Sequence, residues 1–476
     1  MFESAAAATS KVVRVGILSS IAKLDPREAV DAISGIVLSQ VFEPPYSLGS
    51  GESKAQPLLF EPLRQESNLE YSAAMRPNIR FADGTPLTAE IAARSLRGSK
   101  VLTTKAQIEV RGDRIWFLLN APNPRFDLTL TQGNCSIVLD RGTQLFGTGP
   151  YTFEGRPNLL LLQRAKAIRL VRNPHHAGAA NADELEFRIC PADGDGNPRL
   201  LVDALRTGEV DLTTSMTMAD FSAHQLTGLA PSTQPGNSTA FLAFNCERRL
   251  LSTAAVRRAI ALSLDLHELA AKSFDKNPAA FIAANLLPPL MGRSSGLPTS
   301  DRAEAKRLLD AAGVQTARLT LLVPWAPRPY MPKPQQLAQE VQRQLATLGL
   351  TVELRQTKSG EDFVNDLSRG NFDLALTGWI ADTPDPADFF EALLWAADGH
   401  SNDSRYSSPI MDAALARFRQ NPTEGNKREV HQLVRDEAPL VPLLYGQSLV
   451  LHSRKLRNVT VNATGDLMLS RVTLSM

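Results

Sequence analysis

Trp379, Asp382 and the tight run Pro384-Asp385-Pro386 follow directly on an apolar segment at Phe372–Leu376. The imperfect alternation of Phe372-Asp373-Leu374-Ala375-Leu376 predicts a mostly buried strand. An indole and a carboxylate therefore stand at a strand end, ahead of a turn stiffened by two prolines. Ligands on parallel sheets sit beyond the carboxyl ends of strands, which is where both residues fall. Two uses of Asp382 compete: it faces a ligand, or it serves locally by capping the helix of "DPADFFEALLW" or pairing with a nearby arginine. Asp385, directly before Pro386, is the better placed cap, which favours the ligand role for Asp382.

Other residue patterns that carry chemistry are tested and set aside. The chain contains no Gly-Lys pair, so no phosphate loop of the G-x-x-x-x-G-K type exists. "GTGPYTFEG" at Gly147–Gly155 lacks the third glycine of the dinucleotide pattern. "GRSSG" at Gly292–Gly296 matches a nucleophile elbow, but lies in a Pro-rich stretch instead of between strand and helix. "DGDGNP" at Asp193–Pro198 has Pro198 where a calcium loop needs Gly, and Ala204 where it needs a bidentate acid. His175-His176 have no acid or thiol beside them, which predicts a solvated loop. Cys135, Cys190 and Cys246 are widely spaced in apolar contexts, reading as buried free thiols, with one disulfide as the alternative. No catalytic residue, metal ligand set or cofactor is nominated.

The totals narrow the class. Lys plus Arg number 51 and Asp plus Glu 50, a balance without the basic face that nucleic acid requires. At 476 residues, 43% of them hydrophobic, the chain should be globular and hold about three domains. No apolar run reaches the roughly 18 residues of a spanning helix. "MFESAAAATSKVVRVGI" has neither a basic n-region nor an apolar h-region, so no signal peptide is expected as written. The chain is then cytosolic, or a mature or mis-started form.

The elements that would position Trp379 and Asp382 alternate. Strands are expected at "KVVRVGIL", "AIRLVRN", "ELEFRIC", "STAFLAFNCE", "RLTLLVPW", "LTVELRQT" and "FDLALTGW". Helices are expected over about 29–41, over Glu90–Leu96 behind Thr88, and as one helix in "AAVRRAIALSLDLHELAAKS". "DRAEAKRLLDAAG" and "KPQQLAQEVQRQLATLG" are helices that end in Gly. "AQIEVRGDRIWFLLNAP" reads as a hairpin around Arg111-Gly112-Asp113. This β-α-β-α rhythm implies an α/β protein with largely parallel sheets. By the same strand-end argument Trp325 and Tyr330, in "VPWAPRPYMP", either face a ligand or pack their Pro-rich loop.

Eight segments in order resemble the solute-binding proteins of peptide-type ABC importers, the family 5 class of oligopeptide- and dipeptide-binding proteins. They are "LDPREA…GIVLSQVFEPPY", "MRPNIRFADGTPLTAEIAARSL", "GTGPYTF", "ALRTGEVDL", "FNCERRLLSTAAVRRAIALSLDLHEL", "AEAKRLLDAAG", "GNFDLALTGWIADTPDP" and "NDSRYSSPIMDAAL". They span nearly the whole chain. The sequence departs from the family where an aromatic Tyr-Trp pair is usual and His175-His176 stand instead.

The resemblance implies a two-lobed periplasmic-binding-protein-like α/β fold with an inserted third domain and a hinged ligand cleft. Residues 1–45, 160–240 and 451–476 would form lobe one, residues 46–159 an inserted satellite domain, and residues 241–450 lobe two. "GTGPY" would be a return between domains. In peptide binders of the family the acid of the Gly-Trp-x-x-Asp segment pairs with the ligand's α-ammonium, which maps onto Gly378, Trp379 and Asp382. Trp379 would add an apolar wall or a cation–π face. Asn402, Arg405 and Tyr406 in "SNDSRYSSP" would line the cleft or form a surface turn, and Leu24 would touch the ligand from lobe one. The implied function is capture of a peptide or peptide-like, amine-bearing molecule, without catalysis, and delivery to the permease subunits of an ABC importer. The implied protein is a periplasmic or otherwise extracytoplasmic monomer. A cytosolic sensor or carrier of the same fold, and a binder of an opine, sugar or metal chelate, are the alternatives within the binding class.

Overall fold

The computed structural model describes residues 11–29, 31–49, 53–178, 180–193, 197–274, 277–292, 299–396, 401–462 and 464–475. The alanine-rich segment before Lys11, most of "GRSSG" and the centre of "DGDGNP" lie outside the described residues. The chain divides into two compact units, Met1–Met216 with Asp220–Thr233 and Leu449–Met476, and Thr217–Ala219 with Gln234–Ser448.

In the first unit the strand Val12–Ile17 pairs in parallel with Glu184–Ile189, from Val12↔Glu184 to Ile17↔Ile189. Beyond it Ala167–Arg172 and then Tyr151–Phe153 add on antiparallel. Val13, Val15, Ile17, Leu170, Leu185 and Phe187 are fully buried in one cluster, the inward residues of strands that alternate as their sequences demand. The first helix is shorter than expected, Ala32–Leu38, because Asp31 caps it by accepting from the Ser34 N–H.

Within this unit the stretch from Tyr46 to Phe146 carries a core and small sheets of its own. The hairpin of Ala106–Arg111 and Arg114–Leu119 turns at Gly112-Asp113, and Glu70–Ala74 pairs with its second strand. Helix Ala89–Leu96 starts where Thr88 accepts from the Ile91 N–H, and it lays Ala92, Ala93 and Leu96 against Phe81, Ile115 and Phe117. The "GTGPY" glycines permit a close backbone crossing. A side chain at Gly147 would stand 1.9 Å from the Val41 carbonyl oxygen, and one at Gly149 would stand 2.7 Å from that of Gln40. The Gly149 and Tyr151 N–H groups donate to the Val41 and Gln40 carbonyls, so these amides are used by protein and cradle no phosphate.

In the second unit three strands run parallel: Ala317–Val323 between Leu350–Gln356 and Leu374–Ile380. Pro334–Ala346 and Gly360–Arg369 are the crossover helices. Leu374–Ile380 pairs on its other side with the strand Leu229–Phe244, from Ser238↔Ile380 to Phe244↔Leu374, and this pairing is antiparallel. The sheets are thus mixed, not largely parallel. The long strands Leu229–Phe244 and Leu440–Ser453 both enter antiparallel, the first against Leu374–Ile380 and the second against Leu212–Thr213. The expected single helix from "AAVRRAIALS" onward is two, Ala254–Ser263 and Leu266–Ser273, because the Asp265 carboxylate accepts from the His267 and Glu268 N–H groups and starts a new helix. Both faces of the sheet are covered, by clusters around Leu321, Leu374 and Leu376 and around Leu322, Ala375 and Phe389. That double burial explains the near-continuous apolar run at Leu374–Leu376.

Candidate ligand-binding site

Two of the parallel strands of the second unit, Ala317–Val323 and Leu350–Gln356, end together, and the third, Leu374–Ile380, runs on past them. Val323 is paired with Gln356, and Leu322 with Ala375 one strand over. Past these ends come the Pro324–Met331 loop, Thr357 and the Ala381–Pro386 turn, the position where parallel sheets present loops and helix starts to ligands.

Tyr330 is packed into this layer. It is buried, with its ring on the backbone of Gly378: a side chain there would stand 2.4 Å from Tyr330 Cε2 and 2.7 Å from the Thr239 carbonyl oxygen. Burial raises the phenol above its usual range; Arg328 opposes this and the charge of Asp403 adds to it. Trp325, in the same loop, is 40% exposed, and its indole nitrogen stands 3.4 Å from where a Cβ on Gly360 would be. Trp379 is half-buried against the second cluster of the unit, the one that includes Ala381 and Phe389.

Four side chains at this end of the sheet carry a buried polar atom with no partner in the protein: Trp379 Nε1, Thr239 Oγ1, Gln335 Nε2 and Thr357 Oγ1. Native interiors rarely tolerate such atoms, since each costs about 1–3 kcal/mol if it stays unpaired. Thr239 stands directly opposite Trp379 in the antiparallel register. Gln335 opens the helix that follows the Pro-rich loop, and Thr357 follows the strand Leu350–Gln356. Sequence reasoning missed Thr239, Gln335 and Thr357, whose types are ordinary and whose buried, unpartnered atoms show only in the folded chain.

Asp382 is exposed, and the turn around it is held by others. Asp385 caps helix Pro386–Leu394 by accepting from the Ala387 N–H at 3.1 Å, Asp388 accepts from the Thr383 N–H at 3.0 Å, and Asn237 Nδ2 donates to the Ala381 carbonyl at 2.6 Å. The helix cap is therefore Asp385 and not Asp382.

Residues 401–408 form a self-organised turn. Asn402 Nδ2 donates to the Trp395 and Tyr406 carbonyls, and its Oδ1 accepts from Ser404 Oγ and the Tyr406 N–H. That uses the whole capacity of the amide. Arg405, at φ +50°, reaches Glu247 at 3.4 Å and donates to the Ser368 carbonyl. Tyr406 is buried, which pushes its hydroxyl up to about 12. Asp403, between them, went unnoticed in the sequence; burial pushes its carboxyl up to about 6 against the pull of Arg405. A lone acid in a polar turn gives no sequence signal of this kind.

Leu24 belongs to the first unit, half-buried against its core, and the following turn is tied by Arg27 Nε donating to Asp25 at 2.9 Å. His175 is exposed, but His176 is not in a solvated loop as expected: it is half-buried with Nε2 3.2 Å from Glu43 Oε1, and that contact raises its pKa. Among the described residues no group of three His, Cys, Asp or Glu side chains is placed to hold a metal ion. The three cysteines are free thiols, and burial pushes Cys135 up to about 12 and Cys246 up to about 11.

Residues 54–401 match the model of the bacterial extracellular solute-binding proteins, family 5. The chain belongs to that family. Among its relatives, a probable di/tripeptide-binding protein 5 of Pseudomonas aeruginosa is 28% identical over 392 residues, covering 77% of this chain and 72% of the relative. The peptide transport periplasmic protein SapA of Salmonella typhimurium is 26% identical over 344 residues, which covers 69% of this chain and 59% of SapA. The chain thus spans under two thirds of the length of some curated relatives it matches. Among solved structures, the substrate-binding protein CtaP of Listeria monocytogenes superposes with a TM-score of 0.84 at 20% identity, over 98% of this chain and 100% of that one. HbpA2 of Haemophilus parasuis gives 0.82 at 21% identity over the same shares, so the periplasmic-binding-protein fold is established for the family-5 chain. Among the described residues no helix is long and apolar enough to cross a membrane.

Proposed function

We propose that this family-5 protein captures a short peptide or peptide-like, amine-bearing molecule at the strand-end site of residues 234–448 and delivers it to the permease of an ABC importer. It performs no chemistry on the ligand, works outside the cytoplasmic membrane and acts as a monomer. The observation that carries this reading is the group of orphaned polar atoms headed by Trp379 Nε1 and Thr239 Oγ1. A peptide's carbonyls and amides are the complementary partners, and pairing them recovers the desolvation cost that the free protein carries. Asp382 on the adjoining turn takes the ligand's ammonium, a charge-assisted bond that a rigid Pro384-Asp385-Pro386 turn holds ready. The relatives support the class of ligand, since they are named for di- and tripeptides and for peptide transport.

The test is to purify the protein under native conditions, denature it and identify the released small molecules by mass spectrometry. A mixture of short peptides is expected, and a single species without an amine would overturn the reading. Asp382→Ala is expected to lose about 2–5 kcal/mol of peptide binding by calorimetry with little loss of fold. Unchanged affinity would remove Asp382 from the site.

A further inference from the structure

A cavity lies wholly within the first unit, far along the chain from the strand-end residues. It has a volume of about 570 Å³, and its lining includes His176, Asn181, Asn458, Thr460, Ser470 and Arg471. We propose that this cavity is a separate ligand site, which takes the oxyanion of a small molecule, a carboxylate or phosphate group, on the Arg471 guanidinium.

The argument begins with how the wall is held. Asn181 donates through its backbone N–H to the Ser470 carbonyl at 3.1 Å and through Nδ2 to the Arg471 carbonyl at 3.0 Å. Leu469 and Val472, on either side of Ser470-Arg471, are fully buried and anchor the backbone. The Met468 N–H donates to the Thr460 carbonyl at 3.1 Å, tying the two lining segments together. Asn458 sits at φ +57°, a left-handed turn conformation that asparagine adopts readily. The backbone of this cavity is therefore fixed before any ligand arrives, which lowers the cost of binding.

Some of its side chains, by contrast, are unspent. Among the described residues those of Asn458, Thr460, Ser470 and Arg471 donate to no protein group. The acid that contacts the lining residue His176 has both oxygens occupied: Glu43 accepts from His176 through Oε1 and from Thr148 through Oε2. His176 is likewise occupied at both nitrogens, by Glu43 and by Gly178. Arg471 is left as the uncompensated charge in a concave, hydroxyl- and amide-lined space. A planar guanidinium among neutral donors matches a carboxylate or phosphate, which it binds through two parallel hydrogen bonds.

The probes are inorganic phosphate and succinate, titrated by calorimetry into the full chain at ionic strength held constant with chloride. Saturable binding of at least one is expected, and which one binds identifies the oxyanion. Arg471→Gln should weaken it about tenfold or more, as expected for losing a charged hydrogen bond, while Arg471→Lys retains part of it. Asp382→Ala should leave it unchanged, so this site stands or falls apart from the peptide reading. Absence of saturable binding to both probes, or equal affinity in Arg471→Gln, overturns the proposal; Arg471 is exposed, and melting temperatures of the variants verify their folding.

Discussion

Thr239 and Trp379 stand opposite each other on adjacent antiparallel strands, and each holds a buried polar atom, Oγ1 and Nε1, that no protein group satisfies. Directly opposed residues project to the same face of a sheet. The two side chains therefore share one face of the sheet, opposite to the face on which Tyr330 packs against Gly378. A protein selected only for stability would fill such positions with apolar residues of the same shape. On the proposed reading, a peptide ligand supplies the partners that the protein does not.

The first prediction separates stability from binding at that pair. Thr239→Val removes an unsatisfied hydroxyl without changing shape and should raise the stability of the ligand-free protein by about 1 kcal/mol. Trp379→Phe should leave stability equal or slightly higher. Both should weaken peptide binding roughly 2- to 10-fold, the worth of one neutral hydrogen bond. Urea unfolding of ligand-free protein and calorimetry with a bound peptide measure the two sides. Loss of stability in Thr239→Val would mean that the hydroxyl has a partner after all, and the site would lose its main support.

A second prediction concerns two buried titratable groups in the same unit whose effects on stability oppose each other. Burial pushes Asp403 up to about 6 and His431, edge-on to Phe390, down to about 4. Asp403 is protonated in the folded chain at pH values where the unfolded chain, with a pKa of roughly 3.9, has already ionised it. Stability therefore falls as pH rises from about 4 to about 6 on its account. His431 stays neutral when folded, whereas the unfolded chain takes a proton below roughly 6.5, so its contribution falls as pH drops through the same window. Asp403→Asn should gain about 1–3 kcal/mol at pH 7.5 and nothing below pH 4. His431→Gln should flatten the acid-side loss. Denaturation midpoints from pH 4 to 7.5 should tilt in opposite directions for the two variants; a shared slope with the parent would refute the assignment.

Much of the second unit was legible in the sequence, and the reasons are local. Asp385 before Pro386 specified a helix start, and the apolar run Phe372–Leu376 specified a buried strand, because capping and burial act over a few residues. The direction of pairing was not legible. Ser238–Phe244 carries the same apolar signal as a parallel strand, and only its partner Leu374–Ile380 makes it antiparallel. The same limit hid most of the site. Thr239, Gln335 and Thr357 are separated by tens of residues, and their types say nothing until the fold brings strand ends together. Asn402, singled out for its polarity, is spent on its own turn, since an asparagine's sequence neighbourhood does not reveal whether its four hydrogen bonds are already made.

The last prediction tests how the platform is built. Gly378 sits mid-way through the final residues of its strand, a place where glycine weakens a sheet unless something must come close. Tyr330 is what comes close, at 2.4 Å from a would-be Cβ, and the Thr239 carbonyl stands at 2.7 Å on the neighbouring strand. Gly378→Ala should therefore cost about 1–3 kcal/mol of stability by overpacking, and it should weaken peptide binding because Tyr330 and the adjoining Trp379 shift. In Tyr330→Ala/Gly378→Ala the ring is gone but the Thr239 carbonyl remains, so part of the strain is relieved and part persists. The double variant should be more stable than the sum of the single losses by at least about 0.5 kcal/mol, the range of coupling between touching residues. Strictly additive losses in urea unfolding would mean that the ring does not rest on Gly378, and that Tyr330 is free to turn toward a ligand.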